Sequence, residues 1–544
     1  MLNTLKKYPI PAICLLVAVM LLPNLELLQV SIMEARNFIT AREMLTYDHW
    51  LLTTMNNVAR YQKPPLPAWF SAFSGILFGE KSLFSMRLPA VLMVMLSGSF
   101  MYYLSRTILK GRTHSLFNAL ILITSFYVIG ITFEAPSDIF THAFMLVAIY
   151  YFFKLLSKKS KAWKHALLAG TFLGFSILAK GPISIYALLL PFLIAYGFSF
   201  KYKNIKQKAL HIISAILLGL AIGGSWYLYV KLQDSSTLDA ITTRETSTWT
   251  GYNTRPFYYY WSFFTQSGIW TIPAFISLLY PYLKKRVSHY KAYKFSFLWT
   301  ITAVILLSLI PMKKSRYLMP VLIPLAFNIG FYIEYLFRKF KTLKDKRETV
   351  PVYFNFGLIG LLGVVFPIAM YLMFKTELQD HLFNFILASI VLFTIGVLIL
   401  FQLKSKNIKS VFLLTVLFFV SALVFVMPLS EAFKNETFKS LSTLNEENQK
   451  RDIKLYAINY IAPETIWDYG AVIPEIERKD KAYIFPNDKR FGILVNAMSP
   501  ENEDEIRSKY NMKALGEYDL NHFRSTSNQN NPRLKSIFYI LEKK

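Results

Sequence analysis

The sequence predicts an α-helical polytopic membrane protein carrying a small extracytoplasmic α/β domain at its C-terminal end. Three observations predict it. Apolar runs of about 20 residues, the length that crosses a bilayer as helix, recur through the first four-fifths of the chain. Hydrophobic residues make up 54% of the 544, with a mean hydropathy of +0.36. The remaining fifth is polar, mixed in charge, and patterned as short strands. A β-barrel would show short alternating segments instead.

About thirteen spans are expected, near 8–28, 82–105, 115–133, 138–156, 164–180, 182–200, 208–231, 261–283, 295–311, 317–338, 352–375, 381–403 and 410–428. The first, with Lys6 and Lys7 before it and no small-residue cleavage site after it, reads as a retained anchor. The net charge of +27 lies largely in short loops, so it reads as topology rather than nucleic-acid binding. Alternate loops are basic: Arg106 to Arg112, then Lys154, Lys158, Lys159, Lys161 and Lys164, then Lys201 to Lys208, Lys284 to Lys294, Arg338 to Arg347, and Lys404 to Lys409. With the N-terminus inside, this alternation puts the tail outside. The single Cys14 excludes an intrachain disulfide.

Two domains follow: residues 1–428, membrane-spanning and including a first outer loop at 29–81, and residues 429–544, a soluble α/β domain. In the tail, 453–459, 481–487, 490–496 and 535–541 read as strands and Pro500 to Lys509 as a helix. It holds no phosphate loop, metal-spaced cluster or nucleophile elbow. The first outer loop carries a candidate surface helix, with Phe38, Ala41, Met44 and Leu45 on one face and Arg36 and Glu43 away from it. Lys63-Pro64-Pro65 then sets an ammonium on a stiff loop.

The loops expected outside should be poor in cations, yet several remain: Arg36 and Lys63; Lys180; Arg244 and Arg255; and Lys313, Lys314 and Arg316. Glu34, Glu134 and Asp138 share that side. Each has a plain explanation. Lys180 and Arg316 could snorkel from span ends, Asp138 could cap its helix, and Glu34 could lie on a solvated face. His142 reads as a packed histidine, and FYYYW at 257–261 as an interfacial aromatic belt. Their convergence on one side favours chemistry on an anionic substrate. Nucleotide sugars are absent outside the membrane, so a sugar donor there must be lipid-linked with a phosphate leaving group. Breaking its glycosidic bond puts negative charge on phosphate, which cations stabilise, and positive charge on the anomeric carbon, which a carboxylate stabilises. Protein cations alone can hold a monophosphate, so no cofactor is required; an auxiliary divalent metal is left open and no metal ligands are assigned.

The same residues carry a resemblance. MEARNFITAREML…RYQKPPLPAWF is similar to the first outer loop of GT-C glycosyltransferases of the protein O-mannosyltransferase and lipid A aminoarabinose transferase type. PSDIFTHAF (136–144), LAKGP (178–182), RPFYYY (255–260) and SRYLMPVLIP (315–324) resemble that family's later motifs, over roughly residues 8–330. The resemblance implies Glu34 and Asp138 as the acidic pair near the reacting sugar. It implies Lys63, Lys180, Arg255 and Arg316 as holders of the donor phosphate, with Arg36, Tyr61, Arg244, Lys313 and Tyr317 as further substrate contacts. Met33-Glu34 departs from the family's Asp-Glu, so Glu34 must serve alone in its loop. The implied function is sugar transfer, with inversion, from a polyprenyl (undecaprenyl) phosphate to lipid A or another envelope glycan in a bacterial inner membrane. The alternatives are a Ser/Thr protein acceptor, a lipid-linked-sugar transporter or flippase, and a non-catalytic scaffold. Against a transporter, no internal repeat of spans is visible.

Overall fold

The computed structural model describes residues 2–158, 160–479, 482–524 and 530–544. Lys159 of the second basic loop and Lys481, first residue of the expected strand 481–487, lie outside the described residues. The chain forms two compact units. One comprises residues 1–25, 61–67 and 87–429; the other comprises 26–60, 68–86 and 430–544. Most of the first outer loop therefore groups with the C-terminal segment, whereas the sequence reading set it with the spans.

Among the described residues, nine helices are long and apolar enough to cross a membrane, and a bent pair, Arg112–Ile123 with Phe126–Glu134, makes up to ten. Shorter apolar helices cover Pro9–Asn24 and Ile185–Phe200. The expected span 261–283 is instead built from short pieces, Phe263–Trp270, Thr271–Ser277 and Tyr280–Leu283. Gly268 sits inside it at φ 66°, a conformation open to glycine that stops helix propagation. Pro281 is the second residue of the last piece, in the first turn, where a missing N–H costs nothing.

Three helices of the first unit matter most for function: Pro136–Ser157, Ala162–Lys180 and Ile205–Gln233. The first two have 22 and 19 residues, roughly 33 and 28 Å, and a short connection returns one antiparallel to the other. The start of one and the end of the other thus fall at the same level. Ala162–Lys180 also packs closely on Ile205–Gln233 through glycines spaced four apart on both. A Cβ on Gly170 would stand 2.6 Å from the Ala215 carbonyl oxygen, and one on Gly174 would stand 2.6 Å from Ile222 Cβ. Gly219 and Gly223 make the reciprocal approaches to Leu173 and Ile177. Small residues at this spacing let helix backbones touch where apolar burial alone gives no drive.

In the second unit a four-stranded sheet runs in the order Leu455–Ile458, Arg490–Val495, Lys535–Lys543, Tyr510–Asp519, the first pair parallel and the others antiparallel. The helix Pro500–Lys509 is capped by Ser499, whose side chain accepts from the Asn502 N–H. The strand Tyr510–Asp519 was not expected. It lies at the sheet edge, is largely exposed, and shifts register between Ala514 and Gly516, so it lacks a clean apolar alternation.

The helix expected to lie on a surface is a core element. It spans Ile32–Tyr47, and Arg42 and Glu43 are 4% and 1% exposed. Each buried charge is satisfied inside the unit. The Arg42 guanidinium donates to the carbonyls of Ile466, Trp467 and Ala471. The Glu43 carboxylate accepts from Thr54 Oγ1 and the N–H groups of Asn56 and Asn57. Asn56 and Asn57 take positive φ, as a two-residue hairpin turn requires, and Asn56 exchanges two hydrogen bonds with Ile473. Helical periodicity of apolar residues does not reveal charges buried against backbone carbonyls, which is why the polar face was misread as solvated.

Candidate functional site

At the matched ends of Pro136–Ser157 and Ala162–Lys180, Lys180 Nζ pairs directly with Asp138 Oδ1. Their side chains are 10% and 4% exposed. The residue before the helix is Ala135, and no side chain caps it, so Asp138 is not the helix cap. A latch one turn below fixes the register of the two helices. Thr141 Oγ1 donates to the Ser176 carbonyl (2.7 Å), Ser176 Oγ donates to the Thr141 carbonyl (2.6 Å), and the Ser176 and Ser184 hydroxyls meet at 2.7 Å. His142, also buried, lies one turn after Asp138.

Further groups of the same unit surround the pair. The Lys63 ammonium acts electrostatically on Asp138. The Tyr317 ring lies 5.4 Å from Lys180 Nζ, and the Arg316 guanidinium carbon is 5.8 Å from that ring's centre. Tyr127 donates to Glu134 Oε2 at 2.9 Å. Asp138, Lys180, Lys63, Arg316 and Tyr317, five of the expected residues, are thus brought together.

Arg255 and Arg316 lie on two segments tied to each other. The Arg255 N–H donates to the Pro311 carbonyl, the Lys313 N–H to the Asn253 carbonyl, and Asn253 Nδ2 to the Lys313 carbonyl. Tyr260 closes the seam, its hydroxyl donating to the Lys314 carbonyl and accepting from the Lys314 N–H. Lys313 serves this seam. It is 2% exposed and its ammonium donates to the carbonyls of Arg255 and Ile310, at 3.0 and 2.6 Å. Burial lowers its pKa. The ammonium expected to touch substrate is thus engaged with two backbone carbonyls. Arg255 stacks 6.0 Å from the Tyr259 ring. Within the FYYYW run, Tyr258 and Trp261 are exposed, as a belt would be, and Tyr260 is buried.

The remaining expected residues have other settings. Tyr61 donates to Asp234 Oδ2 at 3.0 Å; burial and that bond push its hydroxyl up to about 12. Arg244 is exposed on the helix Ser235–Gly251. Glu34 and Arg36 belong to the second unit, on Ile32–Tyr47. Glu34 is 1% exposed and completes a capping box, accepting from the Ser31 N–H while its own N–H donates to Ser31 Oγ. Among the described residues, no three His, Cys, Asp or Glu side chains gather as a metal site.

Sequence reasoning missed the Thr141–Ser176–Ser184 latch and the backbone seam between 253–255 and 311–313. The glycines at 170, 174, 219 and 223 were the available signal for the helix packing that carries Lys180.

Residues 62–226, which include Lys63, Asp138 and Lys180, match the family described as dolichyl-phosphate-mannose-protein mannosyltransferase. The chain is 25% identical over 352 residues to the undecaprenyl phosphate-alpha-4-amino-4-deoxy-L-arabinose arabinosyl transferase 1 of Proteus mirabilis, covering 62% of this chain and 61% of that one. The corresponding transferase of Pectobacterium atrosepticum is 24% identical over 359 residues, with coverage of 61% and 59%. The chain thus spans about six-tenths of the length of the curated relatives it matches. Likeness of fold extends further. The crystal structure of ArnT from Cupriavidus metallidurans in the apo state superposes with a TM-score of 0.70 at 14% identity, covering 99% of this chain and 98% of that one. The same protein bound to undecaprenyl phosphate gives 0.67 at 13%, covering 98% and 97%.

Proposed function

We propose that this multi-pass membrane chain, which has the GT-C fold of the aminoarabinose transferases, moves a sugar from a polyprenyl phosphate to an extracytoplasmic acceptor. The acceptor is lipid A or another envelope glycan, and the anomeric carbon inverts. The observation that carries the reading is the Asp138–Lys180 pair with Lys63, Arg316 and Tyr317 around it. A carboxylate beside several cations matches a sugar–phosphate junction, where positive charge grows at carbon and negative charge at phosphate within one bond length.

The pair also suggests a sequence of events. Before substrate binds, Asp138 neutralises Lys180 in a site that excludes most water. A donor phosphate arriving at Lys180, Lys63 and Arg316 competes for the ammonium and frees the carboxylate for the sugar side. The acceptor oxygen attacks the anomeric carbon as the bond to phosphate breaks, and the phosphate leaves with that bond's electron pair. An acceptor phosphate is already ionised and needs no base; an acceptor hydroxyl must pass its proton to a carboxylate. Glu34 is the second candidate acid, named by its motif. The basic-loop alternation supports a bacterial inner membrane with the N-terminus inside and both the reacting groups and the C-terminal domain on the periplasmic side.

The test is reconstitution of the purified chain in lipid nanodiscs with undecaprenyl phosphate-linked 4-amino-4-deoxy-L-arabinose and lipid A, read by mass spectrometry. A lipid A product heavier by one aminoarabinose supports the proposal. No transfer from that donor, or from any of a panel of polyprenyl phosphate sugars, overturns it.

A further inference from the structure

The second unit contains a cavity of about 400 Å³. Its walls come from six separated stretches of that unit, at or near Glu26, Arg42, Lys81, Phe438, Trp467 and Leu520. This volume falls within the range of small-ligand sites, which combine aromatic walls with a few placed polar groups.

Trp467 is held in place before any ligand arrives. Its ring lies 5.3 Å from Phe38, inclined at 59°, and the Arg42 guanidinium stands 5.7 Å away. The next residue, Asp468, is one of the polar groups of the wall. Its Oδ2 accepts from Ser440 Oγ at 2.8 Å and from the Leu441 N–H at 2.6 Å, while Oδ1 receives no such donor among the described residues. No cation pairs with it among the described residues, and burial raises its pKa. A carboxylate with one oxygen held by protein donors and the other open at a cavity wall can accept from a ligand's hydroxyls. Glu26, Glu464 and Asp468 are balanced by Arg42, Lys81 and Lys434 in the lining, so the wall selects for neither an anion nor a cation.

A ring with an apolar face and a rim of hydroxyls fits both features. We propose that this cavity is a saccharide-binding subsite in which a neutral sugar ring stacks on Trp467 and donates hydroxyls to Asp468. It goes beyond the transfer reaction, because its wall includes none of the residues proposed above to act on donor or acceptor. A glycan-bearing molecule is the partner it would hold.

The experiment uses the full chain in nanodiscs, free of maltoside detergent, whose headgroup is itself a sugar. Methyl glycosides of glucose, N-acetylglucosamine and L-arabinose are titrated by saturation-transfer NMR, with a thermal transition recorded for each sample. The expected result is saturable binding of at least one sugar, weakened roughly tenfold or more in Asp468→Asn, which keeps an acceptor for Ser440 and Leu441. Binding should persist in Asp138→Asn, so the subsite stands or falls separately from transfer. If Asp468→Asn loses its thermal transition, Phe438→Ala takes its place and should weaken binding to a similar degree. No saturable binding by any of the three, or unchanged affinity in the folded wall variant, overturns the proposal.

Discussion

Two buried carboxylate–cation pairs, one in each unit, are built differently. In the second unit Arg533 grips Glu464 with both arms, Nη1 to Oε2 at 2.8 Å and Nη2 to Oε1 at 2.5 Å. Both carboxylate oxygens are engaged and the planar fork fixes their geometry. In the first unit Lys180 reaches Asp138 through Oδ1 alone, by a flexible stem ending in a compact charge. Tyr317 and Arg316 stand beside it, and Lys63 adds its charge. The bidentate pair is a fixture. The single-point pair is one that an arriving anion can exchange, which is what a reacting site needs and a structural tie does not.

Substitution can break this contrast. The largest effect is expected from Lys180→Met, which leaves Asp138 buried and unpaired. It should abolish transfer and cost about 3 kcal/mol of stability, read as a lowered thermal transition. Adding Asp138→Asn to it should restore the transition without restoring activity; recovery of activity would make the pair merely structural. Arg533→Met should do the reverse, costing about 2 kcal/mol in the second unit while transfer per folded molecule is kept. Loss of transfer in that variant beyond the loss of folded protein would dissolve the distinction.

A middle-sized effect tests how the pair is positioned. Gly174→Val places its Cβ 2.6 Å from Ile222 Cβ, so the two helices must part. Overpacking of this kind costs about 1–3 kcal/mol. Transfer should fall more than stability does, because Lys180 rides on the displaced helix. Equal falls would mean the helix does not position the ammonium.

Smaller still is the expected split at Glu34. Glu34→Gln keeps the capping box with Ser31, since glutamine can serve there, whereas Glu34→Ala removes it at about 1 kcal/mol. If Glu34 acts as an acid, both variants lose transfer and only the second loses stability. Retained transfer in Glu34→Gln would leave it a capping residue. The smallest effect concerns pH. Asp468 has its folded pKa raised by burial, so the folded state holds that proton more tightly than the unfolded chain. Stability is then lost as pH rises from about 4, the unfolded value, through the raised folded value. Asp468→Asn should flatten that slope in thermal scans; an unchanged slope would assign it to other groups.

Much of this was legible in the sequence, for reasons that differ by element. Apolar runs announce helices because the lipid demands them, and the antiparallel return of 162–180 on 136–157 puts Asp138 and Lys180 at one level. Their direct pairing was not legible. The sequence reading gave one to the sugar and the other to the phosphate, and only the Thr141–Ser176 latch fixes the rotation that makes them touch. The seam that uses Lys313 runs through backbone carbonyls, to which side-chain patterns are blind. The same blindness made Ile32–Tyr47 look like a surface helix. Gly268 breaks a stretch whose hydropathy alone reads as a span.

The central claim is that Asp138, held by Lys180, takes part in the reaction. The most direct measurement is the transfer rate of Asp138→Asn per folded molecule, with undecaprenyl phosphate-linked aminoarabinose as donor and the thermal transition recorded on the same sample. The account predicts a fall on the order of 10²–10⁴-fold in the rate per folded molecule, beyond whatever the transition loses by leaving Lys180 without its counter-charge. A rate close to that of the parent chain would contradict it.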